Sequence, residues 1–140
     1  MLPQSIVSLS MTETGTDFTI GAAGSYVSRP VKDLYGLQAA DVSVYFAGGA
    51  GGTSVKAYIQ TSLDQGTSWI DLYSFAALTS AKRTAVSLRP GGAIITPSDG
   101  ALADDSLAAG IVLGPELRTK LIVAGNFTGS PLLVVRAALR

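Results

Sequence analysis

The ionisable side chains of this 140-residue chain are few and poorly grouped for chemistry. There is no cysteine and no histidine. Thiolate nucleophiles, disulfides, cysteine metal sites and the imidazole that titrates near neutrality are therefore all missing. Asp104 and Asp105 are adjacent carboxylates, but neighbouring side chains on an extended segment point to opposite faces. They do not converge on one atom, whereas a carboxyl pair doing acid–base work sits about 5–10 Å apart across a cleft. Gly48, Gly49, Gly51 and Gly52 precede Thr53-Ser54, which invites a phosphate-loop reading. Such a loop needs a lysine directly before the Ser or Thr and a helix after it. Neither is present, Val55 opens a strand pattern, and the run reads as a mobile hairpin loop. Lys82-Arg83 is the only adjacent basic pair, and ten basic residues balance ten acidic ones. Nucleic-acid binding rests on a basic patch, so that class is disfavoured. No nucleophile–base pair or ligand spacing stands out. The expectation is a protein that binds rather than reacts, with no catalytic residue, cofactor or metal.

The elements that would carry these residues have the period of strands. Val7, Leu9 and Met11 alternate with serines; Val42, Val44 and Phe46 repeat the pattern; Val55, Ala57 and Ile59 alternate with Lys56, Tyr58 and Gln60. Val86 and Leu88 alternate with Ala85, Ser87 and Arg89, and Leu117, Leu121 and Val123 alternate with Arg118, Lys120 and Ile122 around Thr119. The run Leu132 to Leu139 is apolar apart from Arg136. Its continuity predicts a strand covered on both faces, either central in a sheet or with one face or edge against another subunit. Gly and Pro clusters punctuate the chain at 48–52, 64–66, 90–92, 97–100 and 125–126. Only 101–109 has the composition for a short helix. The pattern predicts one all-β domain over residues 1–140, an antiparallel β-sandwich of about eight strands.

The most specific local signal is Ser62-Leu63-Asp64-Gln65-Gly66-Thr67-Ser68-Trp69. It resembles the Asp-box of sialidase-type β-propellers, Ser-x-Asp-x-Gly-x-Thr-Trp, with Ser68 in the Thr position. Asp64 can accept from turn amides, Gly66 can take a positive φ, and Trp69 can pack on the hairpin. The box occurs once, in a chain too short for a propeller, so Ser62, Asp64, Gly66 and Trp69 read as a structural hairpin staple. After it, Trp69, Asp71, Tyr73 and Phe75 fall on one face of a strand, with Tyr45 and Tyr58 as neighbours. That face reads as a core layer, a protein interface or a sugar platform.

Apolar residues make up 47% of the chain and charged ones only 14%, against about 25% charged in an average soluble protein. Zero net charge leaves weak self-repulsion. Either the polar surface is unusually uncharged or other subunits cover part of it. The apolar content argues against disorder. The longest aliphatic run, Leu132 to Val135, is far short of the ~20 residues of a spanning helix, and the N-terminus lacks a secretory pattern.

This texture is similar to that of the small jelly-roll cement, or decoration, proteins of tailed bacteriophage capsids. The shared features are a histidine- and cysteine-free, Gly/Ala/Ser/Thr-rich β chain with Thr61 to Asp71 as a central hairpin. The resemblance implies a jelly roll on the capsid surface of a virion, made in the host bacterial cytoplasm. Its partner would be the major capsid protein, bridged by a homodimer or other homo-oligomer, with no nucleic acid or membrane involved. No residue role carries over from the family. The contact regions expected from exposure and turn chemistry are the run of Gly48, Gly49, Gly51 and Gly52, the N-terminal Leu2 and Pro3, and the C-terminal Leu139 and Arg140. A tail or baseplate β module and a carbohydrate-binding sandwich are the alternatives.

Overall fold

The computed structural model describes residues 5–140, and Leu2 and Pro3 lie outside them. The alternating segments form strands because their apolar positions share one side. Val42, Val44 and Phe46 are shut from solvent, as are Val55, Ala57 and Ile59 and, opposite them, Leu117, Leu121 and Val123. Nine strands are present among the described residues: β1 (Ser5–Ser8), β2 (Phe18–Thr19), β3 (Gly24–Val27), β4 (Ala40–Phe46), β5 (Ala50–Ser62), β6 (Ile70–Ala77), β7 (Lys82–Leu88), β8 (Glu116–Thr128) and β9 (Leu132–Leu139). All pairings are antiparallel.

Setting aside the two-residue β2, the pairs are nested. β1 lies beside β9, β3 beside β8, β4 beside β7 and β5 beside β6. This is one long hairpin rolled over so that β4 also meets β9 and β5 also meets β8. The result is two sheets, β1-β9-β4-β7 and β3-β8-β5-β6, packed as a β-sandwich with jelly-roll strand order. Their inner faces share one apolar cluster running from Leu9 and Phe18 to Leu139, in which the Phe46 and Phe127 rings meet edge to face at 5.8 Å.

Three expectations are corrected. Residues 101–109 form no helix, because their backbone groups are taken up by β6, as described below. β9 is central, between β1 and β4, as the first of the two readings of 132–139 expected, and the alternative of a free edge against another subunit falls away. Its two faces also differ. Leu133, Val135, Ala137 and Leu139 are buried, while Leu132 is exposed and Val134, Arg136 and Ala138 are half-buried. The third concerns β6, where the pairing with β5 steps from Ile59↔Tyr73 to Gln60↔Asp71, so that Leu72 is an extra residue. Such a bulge reverses the side-chain alternation. Tyr73 and Phe75 join the core, whereas Asp71 turns to the outer face beside Gln60.

Candidate functional site

The 62–69 hairpin closes on itself through short-range polar contacts. The Ser62 hydroxyl donates to Asp64 Oδ1 at 2.9 Å and accepts from the Gly66 N–H at 2.8 Å. The two Asp64 oxygens accept from the Ser68 N–H at 2.8 Å and the Ser68 hydroxyl at 2.6 Å. These donors, the Ser68 hydroxyl foremost, hold the Asp64 carboxyl below the usual carboxylate range. Gly66 has a φ of 88°, a conformation that penalises any Cβ. Trp69 is only 9% exposed, and the Arg118 guanidinium lies 4.1 Å from its ring centre.

From Trp69 the polar contacts continue across the outer face of the second sheet. Arg118 Nε donates to Gln60 Oε1 at 2.9 Å, and Gln60 Nε2 donates to Asp71 at 2.9 Å and to Asp99 at 2.7 Å. Lys120 closes the row on Asp99 at 3.1 Å. Burial pushes the Arg118 guanidinium pKa down.

Asp71 is the centre of this arrangement. Its carboxylate is buried and accepts from the Ser98 hydroxyl and from the N–H groups of Gly100, Ala101 and Leu102, all between 2.9 and 3.1 Å. A buried carboxylate is tolerated only when donors surround it in this way. Farther along, the Asp71 and Ser74 amides donate to Ser98 and Ser106, and Ala108 donates to Leu72, so the loop between β7 and β8 lies along the β6 edge. Asp104 and Asp105 reach different partners, Lys56 on β5 at 3.0 Å and Lys82 on β7 at 2.9 Å. The two carboxylates thus diverge and pin the loop to both sheets.

The sequence-derived contact residues do not converge. Gly51 and Gly52 belong to β5, which pairs with β8 here through Ala50 and Gly52, so this part of the run is strand rather than a mobile loop. A Cβ on Gly52 would come 2.1 Å from the Phe127 ring, and one on Gly49 would come 2.7 Å from Pro131. Gly48 and Gly51 have φ values of 86° and 84°. These glycines are there for close packing and turn geometry. Leu139 is buried in the core, and Arg140 pairs with Asp41 at 2.6 Å while exchanging backbone bonds with Ala39. Ser5 pairs with Leu139, so the described chain starts beside its C-terminus. Leu34 and Gln38 link that end to Pro115 and hence to the staple, whereas the glycine run sits at the far end of β5, roughly 40 Å of strand away.

Among the described residues, no three His, Cys, Asp or Glu side chains gather as a metal-holding group, and no helix is long and apolar enough to cross a membrane. No protein-family model matches the chain, and a search of curated proteins finds no match.

Sequence reasoning missed Gln60, Asp71, Asp99 and Lys120. The available signal was Asp71 itself, a carboxylate inside an apolar strand, together with the turn Pro97-Ser98-Asp99-Gly100.

Proposed function

We propose that this chain is a non-enzymatic virion structural protein that binds the outside of an assembled phage capsid and stabilises it. It would do so as a cement protein, bridging neighbouring copies of the major capsid protein. The observation that carries this reading is the employment of its carboxylates. Asp64, Asp71, Asp99, Asp104 and Asp105 all act on the chain itself, holding a hairpin and a loop on a jelly-roll frame. Large apolar side chains meanwhile face outward, including Tyr35 and Leu63 beside the staple and Ile94 on the long loop. That division suits a rigid body made to lie against other proteins.

The mechanism is mass action. A protein that binds only the assembled shell stabilises it by an amount that grows with the logarithm of its concentration over its dissociation constant. Contacting two capsid subunits at once raises the effective concentration for the second contact, so modest interfaces suffice. Contacts poor in charge would also be insensitive to salt. The carbohydrate alternative loses its platform, because Trp69 is capped by Arg118 and Tyr58 and Tyr73 are each only 4% exposed.

The test is co-sedimentation of the purified protein with shells assembled without it. Saturable binding and a rise in the temperature at which those shells come apart are expected. Absence of binding rejects the reading, and gold-labelled micrographs placing the protein on a tail would replace it with the tail-module alternative.

A further inference from the structure

Two carboxylates are buried, and only one of them is employed. Asp71 accepts from Gln60, the Ser98 hydroxyl and three amides. Glu116, at the start of β8, is 6% exposed, and its backbone carbonyl accepts from the Thr61 hydroxyl. Its side chain has no hydrogen-bond or ion-pair partner among the described residues. A carboxylate withdrawn from water without donors is costly, so it is kept for a reason. Glu116 lines a pocket of about 320 Å³ together with Lys32, Asp33, Tyr35, Gln65 and Pro115. Both walls are fixed by the fold. On one side, Val31 and Leu117 exchange backbone bonds and the Leu34 N–H donates to the Pro115 carbonyl, which holds 31–35 along the start of β8. On the other stands the staple turn, where a Cβ on Gly66 would sit 3.8 Å from both Glu116 carboxylate oxygens. The pocket is therefore built before anything enters it.

Charge and shape select the occupant. Asp33 and Glu116 against Lys32 leave one net negative charge, the complement of a single positive group. Lys32 is exposed and pairs with no carboxylate among the described residues, so it does not fill that role itself. A calcium ion takes about six to eight oxygen ligands, and no third acidic side chain joins these two among the described residues. Tyr35, 66% exposed, offers an aromatic face at the rim. A guanidinium is the cation that suits both groups. Its planar fork meets a carboxylate through two parallel N–H bonds and stacks on an aromatic ring, where an ammonium acts as a point charge.

We propose that this pocket receives the guanidinium of an arginine side chain on a protein partner, paired with Glu116 and stacked on Tyr35. The protein source follows from the surroundings. Leu63 is 58% exposed and lies over Gly114, where an added Cβ would come 2.9 Å from its Cδ2. Apolar surface thus flanks the acidic pocket, the setting in which arginine anchors protein interfaces. The inference stands whether or not the partner is a shell protein.

The test is an NMR titration of the isotope-labelled protein with N-acetyl-arginine amide, with the matching citrulline amide as its uncharged isostere, and with calcium chloride alone. The arginine probe is expected to shift the amides of 32–35, 65–66 and 116 saturably, and the citrulline probe to leave them in place. Glu116→Gln should weaken arginine binding by about tenfold or more. Glu13→Gln removes the same charge from an exposed position elsewhere and should not. Because the Glu116 carboxylate has no internal partner to lose, Glu116→Gln should melt no lower than the unaltered chain. Tyr35→Ala, at the exposed rim, should weaken binding about two- to fivefold. A short peptide with leucines beside its arginine should bind more tightly than one with serines there, and equal affinity would overturn the protein source. Absent shifts, equal shifts with citrulline, calcium displacing the arginine probe, or a Glu116→Gln chain that binds as tightly or is destabilised would each overturn the proposal.

Discussion

Gln60 Nε2 donates to Asp71 Oδ1 at 2.9 Å across the β5–β6 pair, with both side chains shut from solvent. The contact exists only because the Leu72 bulge turns Asp71 outward. Once there, the carboxylate gathers the amides at 100–102 and fastens a long loop to the sheet.

Removing that carboxylate leaves the buried Gln60 and four part-buried donors without their shared acceptor. Asp71→Ala is expected to cost on the order of 3 kcal/mol, because several hydrogen bonds to one charged group are lost together. Urea unfolding gives the loss, and amide exchange should show residues 98–108 released. An unchanged unfolding midpoint would contradict the clasp.

The staple should fail in graded steps. Trp69→Ala is expected to cost about 3–5 kcal/mol through lost packing. Gly66→Ala should cost about 1 kcal/mol, because alanine resists its φ of 88°. Thermal melts of the two variants check the order.

At Gly52 the issue is space. A Cβ would collide with Phe127, which is itself part of the core, so Gly52→Ala should lose about 1–3 kcal/mol by overpacking. Gly92, with nothing within 4 Å of its Cβ position and no positive φ, is the control and should tolerate alanine. Equal melting temperatures for both would remove the packing explanation for the glycine run.

Acid should act partly through Asp17. The Arg136 guanidinium grips it at 2.9 and 3.0 Å and holds its carboxyl below the usual range, against the opposing effect of partial burial. With a folded pKa below the unfolded value near 3.9, the stabilisation is complete above about pH 4. It fades as pH falls through the lower folded value. The pair is partly exposed, so its contribution is under about 1 kcal/mol. Asp17→Asn should flatten this acid limb while leaving the neutral-pH midpoint lower, and a stability–pH curve unaltered by the substitution would refute the assignment.

What the amino-acid order determined alone was local. The alternations at Val42–Phe46, Val55–Ile59 and Leu117–Val123 mark strands because a two-residue period needs no knowledge of the partner. The spacing from Ser62 to Trp69 was legible for the same reason, since its bonds span at most four residues. Tertiary structure decided the rest. The bulge at Leu72 depends on how β5 and β6 register, and the central place of β9 depends on strands more than eighty residues distant. Asp71 found its partners some thirty residues away in a loop without periodicity. Pairings at such separations are chosen by the collective burial of two sheet faces, a quantity that no single window of sequence contains.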